Sequence, residues 1–78
     1  MKKSDLKKHL ENNGCVIERS LSISPIDIVK NEDNGMIATV YLDSENVNTE
    51  TLFRLLLHLR IPAPFEYEDE FEVYKLHL

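Results

Sequence analysis

Three imidazoles, His9, His58 and His77, are the side chains of this sequence whose ordinary titration falls near neutral pH. His58 follows Arg54 by one helical turn, a pair with the reach to grip a phosphate; an exposed polar helix face accounts for the same residues. No two histidines have the spacing of metal ligands, so no zinc site is expected. Glu66, Glu68, Glu70 and Glu72 alternate with Tyr67, Phe71 and Val73, and a strand would spread those carboxylates along about 20 Å. They would line a solvated edge strand and would not converge on a hard cation. Lys2, Lys3, Lys7 and Lys8, beside His9, make a local basic patch and are the residues expected to touch RNA if RNA binds. Cys15 has no histidine within five residues and reads as a small core residue. Gly14 and Gly35 are isolated turn glycines and form no phosphate loop. Neither a cofactor nor a metal is implied.

These groups need elements to position them. Ser4 and Asp5 suit the start of a helix, Leu6 and Leu10 share one face, and Asn13-Gly14 stops it, giving a first helix over about residues 5–13. From Cys15 the apolar period becomes two: Cys15, Ile17, Leu21 and Ile23 point one way, and Glu18, Ser20, Ser22 and Ser24 the other. Pro25 interrupts the run, and Ile26 to Lys30 resumes it. The turn Asn31-Glu32-Asp33-Asn34-Gly35 leads into an almost continuously apolar strand, Met36 to Leu42. Asn48 or Thr49 caps a second helix whose Leu52, Leu55, Leu56 and Leu59 form one stripe. Phe53 and Leu57 stand beside that stripe and lie either under the tail or in a dimer face. Pro62 and Pro64 end the helix, and Phe65 to Leu78 reads as an extended segment or fourth strand with a phase slip near Val73. The expected fold is α+β, one domain in the order α-β-β-β-α. Its three-stranded antiparallel sheet packs on two helices over residues 1–61, and the acidic tail 62–78 packs on the same domain.

The opening Met1-Lys2-Lys3-Ser4-Asp5-Leu6-Lys7-Lys8-His9-Leu10-Glu11-Asn12-Asn13-Gly14 resembles the start of HicA-type toxins, small bacterial mRNA interferases. Cys15 takes the place of their aromatic residue, and Arg19 sits where many keep an arginine. Thr51, Leu52, Leu55, Leu56 and Ile61 match positions of their closing helix. The resemblance spans about residues 1–61 and implies a double-stranded-RNA-binding-like fold and, for the family, RNA cleavage. The family's catalytic histidine follows the arginine; here Ser24 or Pro25 occupies its place. A serine hydroxyl is no substitute for imidazole in acid–base work near neutral pH. The resemblance thus carries the scaffold without the catalytic group.

Composition sets the outer bounds. The 78 residues, 42% apolar and 29% charged, suit a single ordered domain and exclude a low-complexity linker. One cysteine excludes an internal disulfide, and the longest apolar runs are three residues, so neither a membrane span nor a signal peptide is expected and the cytoplasm is the default. The net charge of −5 disfavours a generic nucleic-acid coat, but it is unevenly spread. Residues 1–30 carry six cations against four carboxylates; residues 31–78 carry three against ten. The expected function is a non-catalytic protein-interaction or inhibitory module with a protein partner or a second copy, meeting it through Phe53, Leu57, Phe71 and Val73. The alternatives are an mRNA interferase with a rearranged site using His9 or His58, and a duplex-RNA-binding module using the four lysines.

Overall fold

The computed structural model describes residues 1–19, 26–41 and 44–78. Helix α1 (Lys3–Asn12) leads into strands β1 (Cys15–Arg19), β2 (Ile26–Asn31) and β3 (Ile37–Tyr41), followed by α2 (Thr49–Leu59), a 3-10 turn (Phe65–Tyr67) and α3 (Glu68–Leu76). The strands form an antiparallel sheet in the order β1-β2-β3, with Ile17 opposite Val29 and Val29 opposite Ala38. The α+β class and the α-β-β-β-α order are those the sequence predicts. The predicted continuation of the first strand through Ile23 lies outside the described residues.

Leu6 and Leu10 from α1 and Leu52, Leu55, Leu56 and Leu59 from α2 share one core with Cys15, Val29, Ala38 and Val40 from the sheet. The two helices therefore cover the same face, and the alternate residues Val16, Ile37 and Tyr41 are left exposed on the other.

Helix α1 begins earlier than Ser4 predicts, and Ser4 caps nothing. Lys2 precedes the helix in extended conformation and pairs with Asn46. The Lys3 amide donates to the Glu45 carbonyl at 2.8 Å, and Val47 N–H to Met1 O at 2.8 Å. The Glu45 carbonyl thus takes the first orphan donor of a helix that begins upstream of Ser4, and the Leu6 N–H that a Ser4 cap would have served bonds Lys2 O at 3.0 Å. The predicted cap of α2 is present: Asn48 Oδ1 accepts from Thr51 N–H at 2.8 Å.

The tail corrects the expectation of a fourth strand. Glu68–Leu76 is helical, and Tyr67, Phe71 and Tyr74 stand at i, i+4 and i+7, packed around the Phe53 ring. Phe71 and Phe53 centroids are 5.2 Å apart. Glutamate is a good helix former, and Glu68, Asp69 and Glu70 sit in the first turn, where the helix dipole favours negative charge. Period two in hydrophobicity lost to period 3.6 in the aromatics, and the phase slip at Val73 was its trace.

The end of α2 joins the layers. Ile61 N–H returns to Leu56 O at 3.1 Å and Arg60 N–H to Leu57 O at 3.2 Å, with Arg60 in the left-handed region at φ 59°. The Leu59 carbonyl is left over, and the β2–β3 turn claims it twice, through Asn31 Nδ2 at 2.9 Å and Asn34 Nδ2 at 3.0 Å. Asn31 is buried, and its Oδ1 also accepts from Asp33 N–H. Replacing Asn31 by alanine is expected to cost about 1–3 kcal/mol of stability, because it removes a buried donor and a turn acceptor together. Asn34→Ala should cost less, since Asn31 still serves the carbonyl. Urea denaturation of both variants checks the order, and equal losses would contradict it.

Candidate functional site

The three histidines do not converge. His9 Nε2–H donates to Pro62 O at 2.7 Å, tying α1 to the segment after α2. His58 Nε2–H donates to Ile37 O at 2.7 Å, and His77 Nδ1–H to Val73 O at 2.8 Å. A carbonyl can only accept, so each of these ring nitrogens carries its proton and serves as a structural donor. Arg54 and His58 line the same groove, where Arg54 pairs with Glu50 at 2.7 Å and His58 holds the strand. Ser24 and Pro25 lie outside the described residues. Among the described residues no three histidine, cysteine or carboxylate groups gather as metal ligands, and no helix is long and apolar enough to cross a membrane.

The basic patch is divided. Lys3 and Lys7 share one side of α1, Lys8 is turned about 100° from Lys7, and Lys2 precedes the helix. Lys7 Nζ lies 3.9 Å from Asp27 Oδ2, the buried carboxylate of β2, so part of its charge is directed inward. The interaction surface expected at Phe53, Leu57, Phe71 and Val73 is corrected as well. Phe53 and Phe71 are 3% and 4% exposed and form the α2–α3 contact. Leu57 is half-buried, and of the four only Val73 is exposed.

The feature the sequence reading missed is the outer edge of β3. Asn31 N–H bonds Met36 O, so the alternation of an antiparallel ladder directs the backbone of Ala38 and Val40 towards β2. The N–H and C=O groups of Ile37, Thr39 and Tyr41 then face away from the sheet. Among the described residues, the contact on this edge is that of His58 with Ile37 O. Natural edges are usually protected by charge, proline or a bulge. Strand β3, Ile37-Ala38-Thr39-Val40-Tyr41, has none of these. The opposite edge, β1, carries Glu18 and Arg19.

Beside β3, the Thr51, Arg54 and His58 side of α2 leaves a solvent-open groove of about 680 Å³, lined also by Leu55 and by β3 itself. Ile37 and Tyr41, 54% and 57% exposed, flank Thr39 on the uncovered sheet face. The edge therefore offers backbone donors and acceptors, apolar shoulders and room for another chain. Its signal was in the sequence: in a three-strand meander the third strand is necessarily an edge, and Met36 to Leu42 contains no charge.

No protein family, curated protein or solved structure matches the chain.

Cys15, the one thiol, is buried at the start of β1. Burial first, and the negative charge of Asp33 second, push its pKa up. Gly14 explains the closeness of Asp33: it holds φ 83°, and a Cβ there would lie 2.7 Å from Asp33 Oδ2. A raised pKa keeps the thiol neutral, and the thiolate is the nucleophile. Alkylation by iodoacetamide at mildly alkaline pH should therefore be much slower for the native chain than in denaturant. Asp33→Asn should speed the native reaction only in part, because burial remains. Equal native and denatured rates would refute this placement.

Proposed function

We propose that this chain is a non-catalytic protein-interaction module that receives its partner by strand addition at β3, on a scaffold like that of the HicA-type toxins. The observation that carries the reading is the uncharged edge Ile37–Tyr41 beside an open groove; apart from the Ile37 carbonyl held by His58, its outward backbone groups meet no partner among the described residues. An incoming strand satisfies those groups by main-chain hydrogen bonds, and side-chain contacts with Ile37, Tyr41 and the α2 stripe add selectivity. The α-β-β-β-α order, with α1 and α2 on one face, is the arrangement that the resemblance implies.

The histidines stand apart from one another, each with one ring nitrogen bonded to a backbone carbonyl, so they form no shared cluster. The acidic residues of α3 stand on a helix whose inner side meets α2, and they give the module a negative surface separate from β3. An inhibitory use of that surface against a basic partner belongs to the same reading.

Thr39→Pro is the direct test. Proline removes the N–H at the centre of the open edge, where no internal ladder bond is lost. The variant should keep its far-UV circular dichroism and lose at least tenfold in affinity for whatever polypeptide the wild-type chain binds. Binding that is indifferent to this substitution would sink the strand-addition reading. Salt-sensitive binding of duplex RNA, abolished by Lys3→Gln, Lys7→Gln and Lys8→Gln together, would replace it with the RNA-binding alternative.

A further inference from the structure

We infer that the strand added at β3 is the β3 of a second copy, joined antiparallel about a two-fold axis at Thr39, an inference that rests on the strand-addition reading above. The outward backbone groups belong to Ile37, Thr39 and Tyr41, which are symmetric about the middle residue. Antiparallel pairing of two copies sets Thr39 opposite Thr39 of its mate and Ile37 opposite Tyr41. Each N–H on the open edge then meets a carbonyl of the other copy. Ile37 O keeps a second lone pair for this bond beside the one used by His58.

The side chains agree with the same axis. On the uncovered face, Ile37 of each copy lies against Tyr41 of the other, an aliphatic–aromatic cross-strand pair of the favourable kind. These are the two most exposed large apolar residues of the sheet. On the covered face, α2 runs antiparallel to its own β3: its end meets the start of the strand, where His58 reaches Ile37 O. The two-fold axis brings the Thr51, Arg54 and His58 stripes of the two helices together, also antiparallel. Arg54 on this stripe is paired with Glu50 of its own copy, so its charge is offset where the two stripes meet.

The acidic helix lies away from the pairing edge. The aromatic contacts to α3 come from Phe53, on the side of α2 away from the Thr51 and His58 stripe. The carboxylates of α3 therefore stay on the outer flanks of the dimer. Strand β1 is a less open edge, because it lies beside Lys7 and Glu11 and carries the exposed Glu18.

The test is the solution mass of the full chain by light scattering at up to about 100 µM, a range that reaches weak dimers. The wild type should approach twice 9.1 kDa. Thr39→Pro should return it to 9.1 kDa, as should Ile37→Lys with Tyr41→Lys, which sets like charges opposite each other. Both lysines replace exposed side chains, so the fold should persist if the proline variant fails to fold. Thr39→Cys should cross-link with itself under mild oxidation, because hydrogen-bonded antiparallel partners have Cα atoms about 5.5 Å apart. Buried Cys15 does not compete, and Val16→Cys should stay monomeric. A dimer that survives the lysine substitutions, or one lacking the Thr39→Cys cross-link, overturns the inference. A monomeric wild type that captures a different polypeptide in a Thr39-dependent manner also overturns it, while leaving strand addition standing. A monomer with no Thr39-dependent partner defeats both.

Discussion

The Leu59 carbonyl is the point on which the layers of this protein are fixed. A helix ending in a left-handed residue uses the carbonyls of its last turn internally, and α2 does so with Leu56 and Leu57. Leu59 O is then turned towards the sheet, where Asn31 and Asn34 of one turn both donate to it. The same two side chains shape the turn, through Asn31 Oδ1 to Asp33 N–H and Asn34 Oδ1 to Met36 N–H. Turn conformation, strand register and helix position are therefore coupled at one oxygen. In a core this small, hydrophobic burial is non-directional and would tolerate sliding of α2 along the sheet. Two directed hydrogen bonds remove that freedom.

With α2 held there, its remaining sides are allotted. Leu52, Leu55, Leu56 and Leu59 face the sheet, Phe53 receives Tyr67, Phe71 and Tyr74, and Thr51, Arg54 and His58 overlook β3. Apolar residues around so much of one helix are explained by cover on two sides. The choice left open in the sequence, between a tail and a dimer face over Phe53, is resolved for the tail. Lys75 completes that cover, with its ammonium 4.7 Å from the Phe71 ring centre.

Most of the architecture was legible because it rests on local chemistry. The leucine stripe of α2, its Asn48 cap, the Asn34-Gly35 turn and the alternation of the strands each act over a few residues. The failures are those in which a distant segment decides. Ser4 lost its capping role because the backbone of residues 45–47 holds Met1 and Lys3 and starts the helix upstream of it. The alternating tail became a helix because Phe53 offers one aromatic site that Tyr67, Phe71 and Tyr74 reach only at helical spacing. The candidate site was read least well. Phe53 and Phe71 looked like surface anchors, yet they satisfy each other, while the edge of β3 is a property of backbone groups that side-chain chemistry does not advertise.

The tail correction also changes the meaning of the acidity. As an edge strand, Glu66 to Glu72 would have guarded the sheet against unwanted pairing. As part of a helical tail packed on α2, those carboxylates do not lie along a sheet edge, and Ile37–Tyr41 itself carries no charge. An uncharged strand of β-branched and aromatic residues with free backbone is prone to indiscriminate association unless something specific occupies it. Such a strand in so charged a chain is intelligible if occupancy is its normal condition. In that reading the charge of α3, placed on the Phe53 side of α2, stays clear of the occupied edge.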